Sequence, residues 1–157
     1  MIDIVLLCIV GVILLVISYI DAKTQEIPDI LVGAIALAGA VWIVLGGITW
    51  QNALLGAAAG ALPLLIIDRL SLILAKKDAF GYGDVKLMAA AGLFLGWQLV
   101  FVAFFFAFVS GGLVAAVLLL IKKVERGQYI AFAPFLCLGI AIAFFLGEIF
   151  IKLFFNP

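Results

Sequence analysis

Residues 87–121 form a run of 35 without a single charged side chain. As one α-helix this run would be about 52 Å long at 1.5 Å per residue. The hydrocarbon core of a bilayer is only about 30 Å thick. The run must therefore break, and Gly96-Trp97-Gln98 is the best place for it. This predicts a short or tilted fourth helix before the break and a fifth helix over about 99–121. Lipid is the implied solvent for the whole chain. Its hydrophobic fraction is 69% and its charged fraction 11%, against about half and about a quarter in soluble domains.

The other apolar runs divide in the same way. The first covers 2–20, long enough to cross a bilayer core. It lacks a basic N-terminal flank, and Ser18-Tyr19-Ile20 is no small-residue cleavage site, so it reads as a retained helix rather than a signal peptide. An acidic loop over 21–29 follows. Its Pro28 cannot donate a backbone hydrogen bond and opens the next helix. The second helix is predicted over 30–44, then a turn over 45–52. Trp42 and Trp50 suit a membrane interface. The third run, 53–75, carries Gly56 and Gly60 at GxxxG spacing, a weak signal in a chain rich in Gly and Ala. Asp68-Arg69 is expected near the interface, with Arg69 snorkelling and Asp68 structural. A sixth helix is predicted over 130–151. The expectation is one domain over 1–157: an all-α polytopic membrane protein of six transmembrane helices, the fourth of them short.

Charge placement supports this count. With six helices, the loops near 21–29, 68–86 and 122–127 share one side. That side holds Lys23, Arg69, Lys76, Lys77, Lys86, Lys122, Lys123 and Arg126, and the other holds only Lys152. An excess of eight to one marks a cytoplasmic face by the positive-inside rule. Both termini then lie outside the cytoplasm. If 87–121 were one helix, the Lys122 loop would change sides and the bias would collapse.

Several chemistries are excluded. Net charge is zero, and no basic patch invites a nucleic acid. The two cysteines, Cys8 and Cys137, lie in apolar runs with no CxxC pair, so they read as small buried hydrophobes rather than metal ligands or a disulfide. No histidine exists. That removes HExxH metalloprotease chemistry and any His-activated nucleophile. No cofactor is expected.

What remains is a pair of acidic motifs on one side: Asp21 in Asp21-Ala22-Lys23-Thr24-Gln25-Glu26-Ile27-Pro28-Asp29, and Asp84 in Gly81-Tyr82-Gly83-Asp84-Val85-Lys86. Gly81 and Gly83 free the backbone just before Asp84. Two carboxylates sharing a site do not both ionise easily, so the pair can hold one proton and act on a water. One would take a proton from the water while the other protonates or polarises the scissile carbonyl. Asp29, Asp78 and Glu125 fit solvated interface residues. Tyr82 and Phe104-Phe105-Phe106 fit packing and lipid-facing surface.

Gly81-Tyr82-Gly83-Asp84 followed by Val-Lys-Leu-Met-Ala-Ala-Ala-Gly resembles the GxGD signature of the type IV prepilin peptidase family. The stretch from Asp21 to Ile27-Pro28 resembles that family's first aspartate motif, and Phe132-Ala133-Pro134-Phe135-Leu136 its last-helix motif. With the six-helix layout, the likeness covers nearly the whole chain. It implies a membrane aspartic endopeptidase that removes the short basic leader of pilins, pseudopilins or preflagellins at the cytoplasmic face. Its partners would be prepilin-like proteins with an N-terminal hydrophobic helix, and membrane lipid. By that likeness Asp21 and Asp84 are the catalytic pair, with Ile27, Pro28 and Pro134 as supporting motif residues. Gly81 and Gly83 would shape the loop that delivers Asp84. Lys86 would orient that loop or meet lipid phosphate.

Three departures stand out. Asp29 stands where the family often has Asn, and Ala133 where Gly often precedes Pro-Phe. The connection over 20–30 is also too short for the cytoplasmic CxxC segment that many members link to N-methylation. A peptidase without methyltransferase activity is expected. The rival readings are a small ion- or proton-coupled transporter, since intramembrane acids and glycine-broken helices also mark ion paths, and a non-catalytic subunit of a pilus or secretion machine. A transporter predicts acids spread through the bilayer depth, and an assembly subunit predicts that Asp→Asn changes at both positions are harmless.

Overall fold

The structure is a computed structural model that describes residues 2–76, 80–122 and 131–155. It contains six helices: α1 (Ile2–Thr24), α2 (Asp29–Val44), α3 (Trp50–Ala75), α4 (Tyr82–Leu95), α5 (Trp97–Leu120) and α6 (Ala133–Phe155). There is no strand among the described residues. The all-α, multi-pass membrane architecture expected from the sequence is what the chain adopts. Four helices are long and apolar enough to cross a membrane, namely α1, α3, α5 and α6. The 16 residues of α2 and the 14 of α4 reach only about 24 and 21 Å.

The shortness of α4 has a packing reason. It is apolar on nearly every face, the pattern of a helix enclosed by protein. Leu87, Met88, Ala90, Ala91, Gly92, Phe94 and Leu95 are all buried. It packs against α3 and α2, and also touches α5 and α6. A helix held inside the bundle has no need to match the lipid thickness. The outer helices carry the lipid-facing surface, where side chains such as Leu15, Leu55, Leu113 and Phe145 are exposed.

The contact between α3 and α4 is backbone to backbone. A Cβ on Gly60 would overlap the carbonyl oxygen of Met88, and one on Gly56 that of Gly92. The weak GxxxG signal thus marks the face on which the central helix rests.

Helix boundaries depart from the sequence reading in a consistent direction: the helices absorb much of what read as loop. α1 continues to Thr24, because nothing in Asp21-Ala22-Lys23-Thr24 breaks a helix, and ends at Gln25 in the left-handed region (φ 56°). α4 begins at Tyr82, five residues before the expected start. α3 starts at Trp50 after Thr49, whose hydroxyl accepts the Asn52 N–H at 3.4 Å. The break in the long run is a single residue, Gly96, at φ 79°. Asn52 Oδ1 accepts the N–H of Trp97 there and so caps the restart. α6 starts at Ala133 rather than residue 130 and runs to Phe155. Of the expected polar loops, residues 77–79 and 123–130 lie outside the described residues, and Lys77, Asp78, Lys123, Glu125 and Arg126 with them.

Candidate active site

One end of the bundle gathers the motif residues. Asp21 lies on the last turn of α1, not in a loop. Asp84 lies in the first turn of α4, with Gly81 as N-cap. The glycine motif is therefore the start of a helix, and Asp84 is delivered by helix geometry rather than by a free loop. Both carboxyl groups are buried, each residue retaining 5% of its surface. Yet both line one open cleft of about 380 Å³. Gln25, Glu26 and Ile27 form one wall of it, and Asp29, Tyr82 and Lys86 reach its mouth.

Each supporting residue has a traceable contact. Gly83 faces Ile27: a Cβ there would sit 3.0 Å from Ile27 Cβ and 3.2 Å from Cδ1. The two aspartate motifs touch at this point, and any side chain larger than glycine's would have to push Ile27 back. Pro28 caps α2 in the extended region (φ −63°, ψ 124°), and its carbonyl accepts the N–H groups of Leu31 and Val32. Lys86 Nζ meets both carboxylate oxygens of Asp29, at 2.8 and 3.0 Å. Asp29 thus supplies an ion pair joining the first turn of α2 to the second turn of α4. Both partners are largely exposed, at 53% and 73% of their side chains.

Pro134 is the second residue of α6. Its neighbour makes the contact that sequence reasoning missed. The backbone N–H of Ala133 donates to Asp21 Oδ2 at 3.1 Å, across 112 residues and in a buried setting. A backbone donor leaves no mark in residue type, and the sequence placed the start of this helix at residue 130 rather than at Ala133.

Asp68 was the second omission. It is buried at 7% and its Oδ1 accepts the N–H of Phe80 at 3.3 Å. That bond holds the residue just before Gly81. The Phe80 ring in turn packs on Phe132 (centroids 5.1 Å apart) and Phe108 (6.1 Å). Phe80 precedes the helix bearing Asp84, and Phe132 precedes the helix that holds Asp21. Beyond Asp68, α3 runs on through 69–75, about 10 Å at helical rise. The site is thus recessed from the end of α3. Arg69 is exposed, as a snorkelling side chain would be, whereas Asp68 faces inward. Among the described residues, no group of three or more His, Cys, Asp or Glu side chains is arranged to hold a metal ion.

Residues 8–117, which carry both aspartates, match the model of the type IV leader peptidase family. The chain belongs to the type IV leader peptidase family. Family relatives include the prepilin leader peptidase/N-methyltransferase of Aeromonas hydrophila, 31% identical over 137 residues, covering 87% of this chain and 47% of the relative. That of Pectobacterium carotovorum is 35% identical over 127 residues, 80% of this chain and 46% of the relative. That of Pseudomonas aeruginosa is 32% identical over 136 residues, 86% and 47%. The chain spans about half the length of the curated relatives it matches. No solved structure matches it.

Proposed function

We propose that this leader-peptidase family member is an intramembrane aspartic endopeptidase that removes the leader peptide of prepilin-like substrates at the cytoplasmic membrane face. The observation that carries the reading is the convergence of Asp21 and Asp84. They come from different helices, both are buried, and both line one open cleft. The relatives' names supply the substrate class.

The chemistry needs only those two groups and water. One aspartate, ionised, takes a proton from the water as its oxygen attacks the scissile carbonyl carbon. The other, protonated, gives its proton to the carbonyl oxygen, and a tetrahedral gem-diol forms. As the C–N bond breaks, the first aspartic acid passes its proton to the leaving nitrogen. The second takes a proton back from the diol. The products are a carboxylic acid and an amine, and the pair returns to its starting state. Asp21 and Asp84 are assigned to the pair, with Gly83, Ile27 and Pro28 shaping the cleft around them.

The cytoplasmic assignment rests on charge. The C-terminal ends of α1, α3 and α5 and the N-terminal ends of α2, α4 and α6 lie on one side by alternation. Eight of nine basic residues belong to that side. Both termini then face outward. The methyltransferase activity named for the relatives is not assigned to this chain. Only 25–28 join α1 to α2, and the sequence has no CxxC pair.

The test is cleavage of a synthetic prepilin-like peptide, with a lysine-bearing leader and an apolar helix, by the purified chain in liposomes. Asp21→Asn and Asp84→Asn should each lose roughly 10²–10⁴-fold or more in rate, the range of general acid–base catalysis. Wild-type cleavage by either variant would sink the assignment.

A further inference from the structure

We infer that the first turn of α6 is the positioning element for Asp21, and that the backbone N–H of Ala133 is its working contact. The inference rests on the reading of Asp21 as a catalytic carboxylate, and adds to it a group that does not touch substrate.

The geometry of the turn explains why this N–H is available. The Phe132 carbonyl accepts the N–H groups of Phe135 and Leu136 at 3.0 and 3.2 Å, so Phe132 caps the helix and Ala133 is its first residue. The N–H of a first residue has no acceptor within its own helix. Pro134, next in line, has no N–H to offer. The first donor at this end of α6 is thus Ala133, and it points at Asp21 Oδ2, 3.1 Å away.

Asp21 needs such a partner. At the last turn of α1 a carboxylate faces the negative end of its own helix dipole. The positive start of α6 offsets that, and the bond limits rotation of the carboxylate by holding one of its oxygens. The donor itself is braced. Ala133 is fully buried, and the Phe132 ring lies against Phe80, Phe108 and the backbone at Gly111. Movement of the turn would have to displace the aromatic contact that also fixes the approach to Gly81. The position of Asp21 is therefore tied to the helix start that carries Asp84.

Replacing Ala133 by lactic acid turns its amide into an ester, which removes this one donor and adds no bulk, whereas Ala133→Pro would push its ring Cδ onto Asp21 Oδ2. Ala133→Gly keeps the donor and adds no bulk. Asp21→Asn is run beside them, with the full chain in liposomes and the same synthetic peptide. The ester should lower kcat roughly 10- to 100-fold, the size of one hydrogen bond to a charged group, with KM within about twofold because a misaligned carboxylate affects the transition state alone. Ala133→Gly should stay within about threefold of wild type, since the N–H stays and glycine in place of alanine costs little. Wild-type kcat in the ester, or an equal loss in Ala133→Gly, overturns the inference. Wild-type cleavage by Asp21→Asn would instead overturn the catalytic reading on which it rests.

Discussion

Asp21 and Asp84 reach the same cleft by opposite means. Asp84 belongs to the third residue of its helix, where the helix start favours an acid. Its carboxyl reaches back toward the Gly81 backbone N–H, within its own turn. Asp21 sits at the wrong end of its helix for an acid, and its partner comes from α6, 112 residues away. One carboxylate is placed locally and the other is placed by the fold. A local arrangement should survive changes elsewhere in the bundle. A borrowed one should fail whenever α1 and α6 shift against each other.

The largest effect should erase that difference. If the two acids form one unit, each single Asp→Asn variant should lose roughly 10²–10⁴-fold in cleavage. The double variant Asp21→Asn/Asp84→Asn should then be no slower than the worse single one, because residues that act together are not additive. A double loss equal to the product of the single losses would mean that the two act separately. The measurement is single-turnover cleavage of the synthetic prepilin-like peptide.

The next effect tests the seam between the motifs. Gly83 is the point where the helix of Asp84 meets Ile27, with a Cβ–Cβ approach of 3.0 Å for any larger residue. Gly83→Val cannot be absorbed there without moving α4 or the 25–28 link, at a cost of about 1–3 kcal/mol. Cleavage should fall tenfold or more (about 1.4 kcal/mol per factor of ten). Gly83→Ala should fall less, since Ile27 needs to give by only a few tenths of an ångström. Equal activity of Gly83→Val and wild type would show that this contact does not set the cleft.

The same contrast explains what was legible in the sequence. Asp84 announces itself because its supporting residues are its neighbours, and the glycines on either side of Tyr82 are visible in a row. The six helices and the break at Gly96 were legible from the uncharged run and from the need to fit a bilayer. The start of α4 was not. Gly81 and Gly83 suggested a flexible loop, whereas Gly81 serves as an N-cap and Gly83 as a gap for Ile27. The support of Asp21 was not legible either, because its donor is a backbone group whose presence any residue but proline would satisfy. Asp68 looked like an interfacial acid beside Arg69. Only the fold turns it inward to the Phe80 amide.

A smaller effect tests the link between the two aspartates. Phe80 and Phe132 pack 5.1 Å apart, one ahead of each helix start. Such a pair contributes about 0.5–1.5 kcal/mol beyond its buried area. Phe80→Leu and Phe132→Leu should each slow cleavage several-fold, and the double variant should show coupling of that size in a double-mutant cycle. Additive losses would mean that the aromatic contact does not connect the two sites.

The smallest effect is expected at the most visible interaction. Lys86 and Asp29 form a bidentate ion pair at the mouth of the cleft, but more than half of each side chain is exposed. Water and salt screen a pair like this, and its net contribution is about 0–1 kcal/mol. It joins the first turn of α2 to the second turn of α4, and the contact of Gly83 with Ile27 already ties α4 to the link before α2 by direct packing. Lys86→Met should therefore change cleavage by no more than about fivefold, and Asp29→Asn by no more. Any loss should shrink as salt is raised from 50 to 500 mM (roughly 14 to 4 Å in screening length), because screening already weakens the pair in the wild type. A loss approaching that of Gly83→Val, and insensitive to salt, would mean that Lys86 contacts the substrate itself. The locally placed half of the site would then extend beyond Asp84 to the next turn of α4.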